Sequence, residues 1–389
     1  MDTNRKGRLG LLLLVVAVAV GSAIGHLCTS AVPFQVGALM NGYGFSATAA
    51  GLVSFFQIGT LALSMILIAP LTARFKPWRI SYLGMVLAVA GNLLVYVAPA
   101  YLPVICLLAI MVGCGYGLIL TAAVSAAAGS ARPDITYAAG NSGAVLLIVP
   151  ILSLLSVASA HFGRRGVFFA IPLLIAICAP PMLGLRLAGA GKIAAVPVTA
   201  TGFTRGLPLL AIWSLFSFGT GAMWAFTERI GVAFSLPAQA VGLVLSISPF
   251  AGLMGTSLAG VLSTRVNRVT ALGVGIIGGG ASCLLFAIAD QVWIFAAAAI
   301  LYWVFTMFVY ILLLGTAAVL DPTGRLGTLG TGCERLAFAV GAPFGGLMAD
   351  FGSYSWLSIV TAAACAVVAP AFLPGLARLL RPARQPSPV

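Results

Sequence analysis

Apolar residues run along this chain in blocks of about twenty, broken by short stretches rich in glycine, proline and basic side chains. A hydrocarbon core ~30 Å thick takes about twenty helical residues at 1.5 Å each to cross. The pattern predicts twelve spans, at roughly 9–38, 46–72, 80–99, 102–126, 138–160, 167–187, 207–229, 239–263, 269–289, 292–318, 327–349 and 355–375. Lipid offers backbone polar groups no water, so a chain built of such blocks crosses as helices. A β-barrel would need alternating segments of about ten residues, and none is visible. The expected fold class is an all-α polytopic membrane protein, with short connections except near 188–206.

The blocks repeat. Phe45-Ser46 and Gly51-Leu52-Val53 recur as Phe234-Ser235 and Gly242-Leu243-Val244. Arg74 closes the second span as Arg265 closes the eighth. Thr121-Ala122-Ala123-Val124 recurs as Thr316-Ala317-Ala318-Val319, and Phe162-Gly163 as Phe351-Gly352. The offsets stay between 189 and 195. This predicts two pseudo-symmetric six-helix bundles, 1–187 and 207–377, around a cytoplasmic central loop, 188–206, with a cytoplasmic basic tail, 378–389. Parallel repeats of this kind place a site at their interface, near the membrane midplane.

Composition narrows the class. Of 389 residues 61% are hydrophobic and 7% charged, and the mean hydropathy is +1.14. Soluble domains carry about 25% charged residues, so a soluble protein is excluded. The net charge of +13 does not mark a nucleic-acid face. With both termini cytoplasmic, sixteen of the twenty basic residues fall in inside segments, as the positive-inside rule requires. Arg5-Lys6-Gly7-Arg8 before an apolar run imitates a signal peptide, but the run continues to about Leu39 and reads as a first membrane helix. The seven cysteines lie in apolar runs without a CxxC pair, which fits packing rather than disulfides or zinc. The localisation implied is a bacterial inner membrane.

Two six-helix halves, a longer central loop and basic turns after the second and eighth spans resemble the major facilitator superfamily over the whole chain. That family's signature between its second and third helices is roughly G-x-x-x-D-R-x-G-R-R. Here the stretch is Ala69-Pro70-Leu71-Thr72-Ala73-Arg74-Phe75-Lys76-Pro77-Trp78-Arg79, keeping basic positions but not the aspartate. The second copy, Gly260-Val261-Leu262-Ser263-Thr264-Arg265-Val266-Asn267-Arg268, also lacks an acid. The resemblance implies a cytoplasmic gate at Arg74, Arg79, Arg265 and Arg268, without the family's aspartate latch. The arginine expected before Gly113-Cys114-Gly115-Tyr116-Gly117 in proton-driven exporters is absent. The antiporter motif expected near Pro150 is also missing, while Gly341-Ala342-Pro343-Phe344-Gly345-Gly346 resembles it in the eleventh span. Asp350, Phe351-Gly352 and Trp356 resemble the family's outer turn.

Candidate chemistry gathers in a few polar residues. Glu334 and Arg335 sit side by side ~10–14 Å into the eleventh span, where a charge costs several kcal/mol unless paired or wetted. Aligning Pro150 with Pro343 sets Asn141 opposite Glu334 and Ser142 opposite Arg335. The functional reading has Arg335 neutralising an anionic substrate and Glu334 binding a cation or proton. The structural alternative is an ion pair that fixes helices. Glu228 and Arg229 end the seventh span, either gating the outer mouth or anchoring it beside Trp224. His26, with Gln35 and Gln57 nearby, either relays protons or packs. Tyr116, Trp213, Trp224, Tyr302 and Trp303 either line a cavity or pack. His161 falls in an outer turn and reads as inert. No Walker A loop, HExxH or nucleophile elbow is present, so no enzyme and no cofactor are expected.

The reading is a monomeric secondary transporter that moves a small, largely apolar organic solute by alternating access. An organic or aromatic acid fits Arg335, and proton coupling fits the few titrating groups. The implied partners are that small-molecule substrate, a proton or other coupling ion, and the lipid bilayer. Two rivals stay open: multidrug or metabolite efflux by proton antiport, and a non-transporting membrane sensor or scaffold of the same fold.

Overall fold

The computed structural model describes residues 3–68, 74–130, 132–163, 165–188, 200–321 and 325–380. The signature's Ala69–Ala73, central-loop residues 189–199 and tail residues from 381 lie outside them.

Among the described residues every regular element is a helix. The first half holds α1 (Thr3–Ser30), α2 (Val32–Tyr43), α3 (Ala47–Ile68), α4 (Pro77–Val97), α5 (Leu102–Ala128), α6 (Pro133–His161) and α7 (Gly166–Ile177). The second holds α8 (Ala200–Ala225), α9 (Thr227–Ala233), α10 (Ala238–Ile247), α11 (Gly252–Arg265), α12 (Arg268–Leu285), α13 (Val292–Leu320), α14 (Arg325–Phe351) and α15 (Tyr354–Leu379). Ten spans are long and apolar enough to cross a membrane. An eleventh is α7 continued, after a 47° bend, by a 3-10 turn at Pro180–Leu187, where Pro180 and Pro181 remove backbone donors. The twelfth expected span, α14, is 27 residues long but falls short of that standard, because its glycines, Glu334 and Arg335 dilute its apolar character. Leu63, Val86, Val97, Leu107, Val274, Ile277 and Val367 are exposed on the flanks, a surface that lipid solvates and water does not.

The repeat is visible in the packing. In the first half α1 packs on α6, α3 on α5, and α4 on α5 and α7. Their counterparts α8 on α14, α11 on α13, and α12 on α13 and α15 do the same. The first spans break at matching places, Ala31 between α1 and α2 and Phe226 between α8 and α9, an offset of 195. The turns that follow also match. Gly44 (φ 71°) and Ser235 (φ 56°) hold the left-handed conformation 191 residues apart. Glycine adopts it freely and serine pays for it.

The helices alternate in direction, so the bundle has two ends. One carries the α2–α3, α9–α10 and α14–α15 turns, and we call it the Asp350 end. The other, the Arg74 end, carries the α3–α4 and α11–α12 turns. At the Asp350 end the halves share one apolar core, which joins Leu39, Tyr43 and Ala47 to Phe226, Ile230, Ala342 and Leu357. Toward the Arg74 end the second half has a core of its own around Trp213, Phe216, Leu272, Phe308, Leu313 and Leu376, and no first-half residue belongs to it. The halves are therefore welded at one end, and toward the other the second half packs around a core of its own.

Candidate functional site

The weld is built from close backbone approaches and polar ties. A Cβ on Gly51 of α3 would lie 2.4 Å from the Ala342 carbonyl of α14, and one on Gly346 of α14 would lie 2.4 Å from the Ala47 carbonyl. Only glycine lets these two helices touch. Asp350, at the end of α14, caps α3 across the halves. Its carboxylate accepts from Ala47 N at 3.0 Å, Thr48 N at 2.8 Å and Thr48 Oγ1 at 2.6 Å. Partial burial pushes the Asp350 carboxyl up, but the Thr48 hydroxyl and the Thr48 and Ala47 amides outweigh it and hold it below its ordinary value. Arg229 Nη1 donates to Asn41 Oδ1 at 3.0 Å, joining α9 to α2.

Below the weld lies the polar centre. Glu334 and Arg335 sit nine and ten residues from the start of α14, roughly a third of the way along it. Arg335 Nε is 3.3 Å from Glu334 Oε2, with side chains 25% and 12% exposed. That oxygen has no hydrogen-bond partner among the described residues, so the pair attracts without a formed hydrogen bond. Arg335 lies within electrostatic reach of His26 and Cys28 on α1 and of Tyr310 on α13. Glu334 reaches Tyr302 and Tyr310 on α13. The two charges thus meet each other and share Tyr310, while Arg335 also reaches across to the first half and Glu334 to Tyr302.

An aromatic roof separates this centre from the weld. Trp224 of α8 stacks on Tyr302 at 5.6 Å and meets Trp303 edge-on at 5.1 Å. Its Nε1 donates to the Thr29 carbonyl of α1 at 3.1 Å, a bond between the halves. The Trp303 indole N–H is buried and has no partner among the described residues. Among mostly buried neighbours on α1, His26 and Thr29 are the half-buried ones on this side. The site therefore offers one cation, one anion, an imidazole, a free indole donor and an aromatic wall.

Other candidates fall elsewhere. Gln57 is buried, its amide donating to Gln35 Oε1 at 3.0 Å and to the Cys28 carbonyl at 3.4 Å, so it ties α3 to α1 and α2. Tyr116 is fully buried in the first half's core, not on a cavity wall. Trp213 is fully buried, edge-on to Tyr310 at 5.8 Å. Asn141 and Ser142 are exposed on α6. His161 is exposed at the Asp350 end. Arg74, Arg79 and Arg265 are exposed and Arg268 half-buried, all at the Arg74 end. The sequence reading passed over Thr29, Thr306 and Tyr310. The last two follow Tyr302 at four-residue spacing on α13, a helical stripe that would have found them. Among the described residues no group of three or more His, Cys, Asp or Glu side chains stands ready for a metal.

Two pseudo-symmetric helical halves around a polar centre define an all-α polytopic membrane protein. No family model and no curated protein matches the sequence. Solved structures do match the fold. The nucleoside transporter NupG aligns at TM-score 0.76 and 15% identity, over 93% of this chain and 98% of that one. A POT family transporter in complex with a thioalcohol conjugated peptide aligns at 0.74 and 13%, over 96% and 97%. A bacterial homolog of the human lysosomal transporter Spinster, inward-facing and unoccupied, aligns at 0.71 and 14%, over 97% and 98%. The fold is that of the major facilitator superfamily transporters.

Proposed function

We propose that the chain is a secondary transporter that carries a small, largely apolar organic solute by alternating access. The carrying observation is the asymmetry between the ends. The halves share a core at the Asp350 end, the second half keeps a core of its own toward the Arg74 end, and a mostly buried ion pair lies between. That is the arrangement of a carrier with one gate shut. The similar structures carry nucleosides and peptides, which supports an organic solute.

The excess of basic residues at the Arg74 end favours placing it in the cytoplasm, with both termini inside and the Asp350 end outside. Arg335 holds the solute's anionic group, an organic or aromatic acid, against the roof of Trp224, Tyr302 and Trp303. Glu334 and His26 are the titrating groups within reach of that cargo. The same roof with Glu334 supports a second reading, efflux of apolar cations, since aromatic faces attract cations.

The test is a thermal-shift screen of purified wild-type and Arg335→Ala protein with small carboxylates and apolar cations, followed by uptake of the best ligand into proteoliposomes. Stabilisation by a carboxylate that vanishes in Arg335→Ala, with flux, supports the acid carrier. Stabilisation by cations retained in Arg335→Ala moves the assignment to efflux. Binding without flux rejects transport in favour of a sensor.

A further inference from the structure

The chain has two glutamates, and the cargo centre uses one of them. The other, Glu228, lies in the first turn of α9, just past the break at Phe226. Across the weld it faces Gly37 of α2, the segment past the matching break in the first half. The fit is close: a Cβ on Gly37 would lie 2.4 Å from Glu228 Oε2 and 2.8 Å from its Cδ. That oxygen is buried and has no hydrogen-bond partner among the described residues.

The charged neighbour on the same element is Arg229, which acts on Glu228 electrostatically. Its Nη1 is turned to Asn41, and its Nε is itself buried without a partner. Among the described residues the other elements packed on α9 bring no further charge to this point. From α2 come Gly37 and Asn41, α10 has no titratable side chain, α8 carries its one charged residue, Arg205, near its opposite end, and α15 begins with Tyr354 beside Phe226. The seam therefore encloses a carboxyl oxygen that no described residue satisfies.

A buried carboxylate without hydrogen bonds costs several kcal/mol, whereas a neutral carboxyl costs far less. Parting α2 from α9 would return the group to water and remove that difference. Whatever protonates Glu228 must then favour the shut seam, and whatever ionises it must favour the open one. We infer that Glu228 is a proton-binding gate residue at the Asp350 end, which takes up a proton from water as α2 and α9 close and releases it as they part. The inference rests on the alternating-access reading above. It gives the proton a site separate from the Glu334–Arg335 centre, so one carboxyl reports the gate and the other meets the cargo.

The experiment needs no substrate. Spin labels are attached to p-acetylphenylalanine at Ala100 and Gln291, exposed residues at the Asp350 end, one in each half. This leaves the seven cysteines alone. Distances are measured in lipid nanodiscs across a pH series from acidic to alkaline, compared at its two ends. The ratio of long to short distances in the wild type should rise about tenfold with pH, equivalent to one pKa unit or about 1.4 kcal/mol. Glu228→Gln should stay short at both pH values. Gly37→Ala, whose methyl competes for the carboxyl's space, should show the long distance at both. A Glu228→Gln protein that opens with pH as the wild type does, or a wild type with two distances whose ratio ignores pH, overturns the assignment while leaving alternating access intact. A single short distance in the wild type and in Gly37→Ala at both pH values sinks alternating access, and this inference with it.

Discussion

Replacing Asp350 with alanine removes a cap that belongs to one half and serves a helix of the other. Three bonds are lost, those from Ala47 N, Thr48 N and Thr48 Oγ1. Losing an N-cap costs about 0.5–2 kcal/mol, and a carboxylate at an exposed helix N-terminus is worth about 0.3–1 kcal/mol. Thr48 is partly exposed, so the sum is discounted to about 1–2 kcal/mol, or about 5- to 30-fold in the ratio of shut to open weld. Hydrogen exchange read by mass spectrometry in nanodiscs separates the outcomes. If the cap holds the weld, amides of α2 and α9 exchange faster by that factor together with the first turn of α3, although neither segment touches Asp350. If exchange rises only over residues 47–50, the cap is a local one and the reasoning is wrong. The effect should be flat with pH near neutrality. The Asp350 carboxyl is held below its ordinary value, so its contribution is complete above the ordinary carboxylate range. It is lost only as pH falls through the lowered value.

Further outcomes follow from single contacts. Arg335→Ala leaves Glu334 buried beside no cation. It should destabilise by about 1–3 kcal/mol, less than the 3–5 of a fully buried pair because both side chains are partly wet. Arg335→Ala with Glu334→Gln should recover most of the loss in melting temperature, and a double variant no better than the single rejects the pair as the cause. Ser235→Gly relieves a left-handed serine and should raise stability by about 0.5–1 kcal/mol in thermal melts, where a fall would show that the strain is absent. Gly346→Val puts side-chain atoms where a Cβ already lies 2.4 Å from the Ala47 carbonyl, so the labelled pair at Ala100 and Gln291 should move to the long distance. A short distance in that variant would mean that α3 and α14 yield more easily than their backbones suggest.

The span pattern and the repeat were legible because lipid enforces them: every span needs its apolar length, and both halves keep the same punctuation at Phe45–Ser46 and Phe234–Ser235. Glu334 and Arg335 were legible as outliers in an apolar run. Their partners were not, because adjacency in sequence does not say which helices they face. The breaks at Ala31 and Phe226 left no readable mark. Pro33 follows the first, but nothing comparable follows the second. The seam was hidden for a related reason. Gly37, Gly51 and Gly346 look like any other of the 46 glycines until the opposing backbone is in place. Gln57 and Tyr116 misled in the opposite sense. A polar residue in a membrane helix signals function by default, but these two are spent inside one half.

The missing family aspartate gains meaning from Asp350. The stretch that carries the signature offers Ala73 where an acid is expected, and the second copy offers none either. On the alternating-access proposal, the Arg74 end therefore lacks the carboxylate that the resemblance would have led one to expect there. At the Asp350 end the chain has a carboxylate on a helix N-terminus, and that contact crosses the halves. Two gates compete in an alternating carrier, and the resting state follows the difference between them rather than the strength of either. If the chain alternates as proposed, a carboxylate latch present at the Asp350 end and missing at this position of the Arg74 end tilts that difference toward the conformation described here, shut at the Asp350 end. Restoring an acid by Ala73→Asp should oppose the tilt. If the Arg74-end latch is only lost, not replaced by other contacts, the variant should raise the long-distance population of the Ala100–Gln291 pair, and combined with Asp350→Ala it should raise it further. If Ala73→Asp leaves the distances unchanged, the tilt has another source and the exchange of latches is refuted.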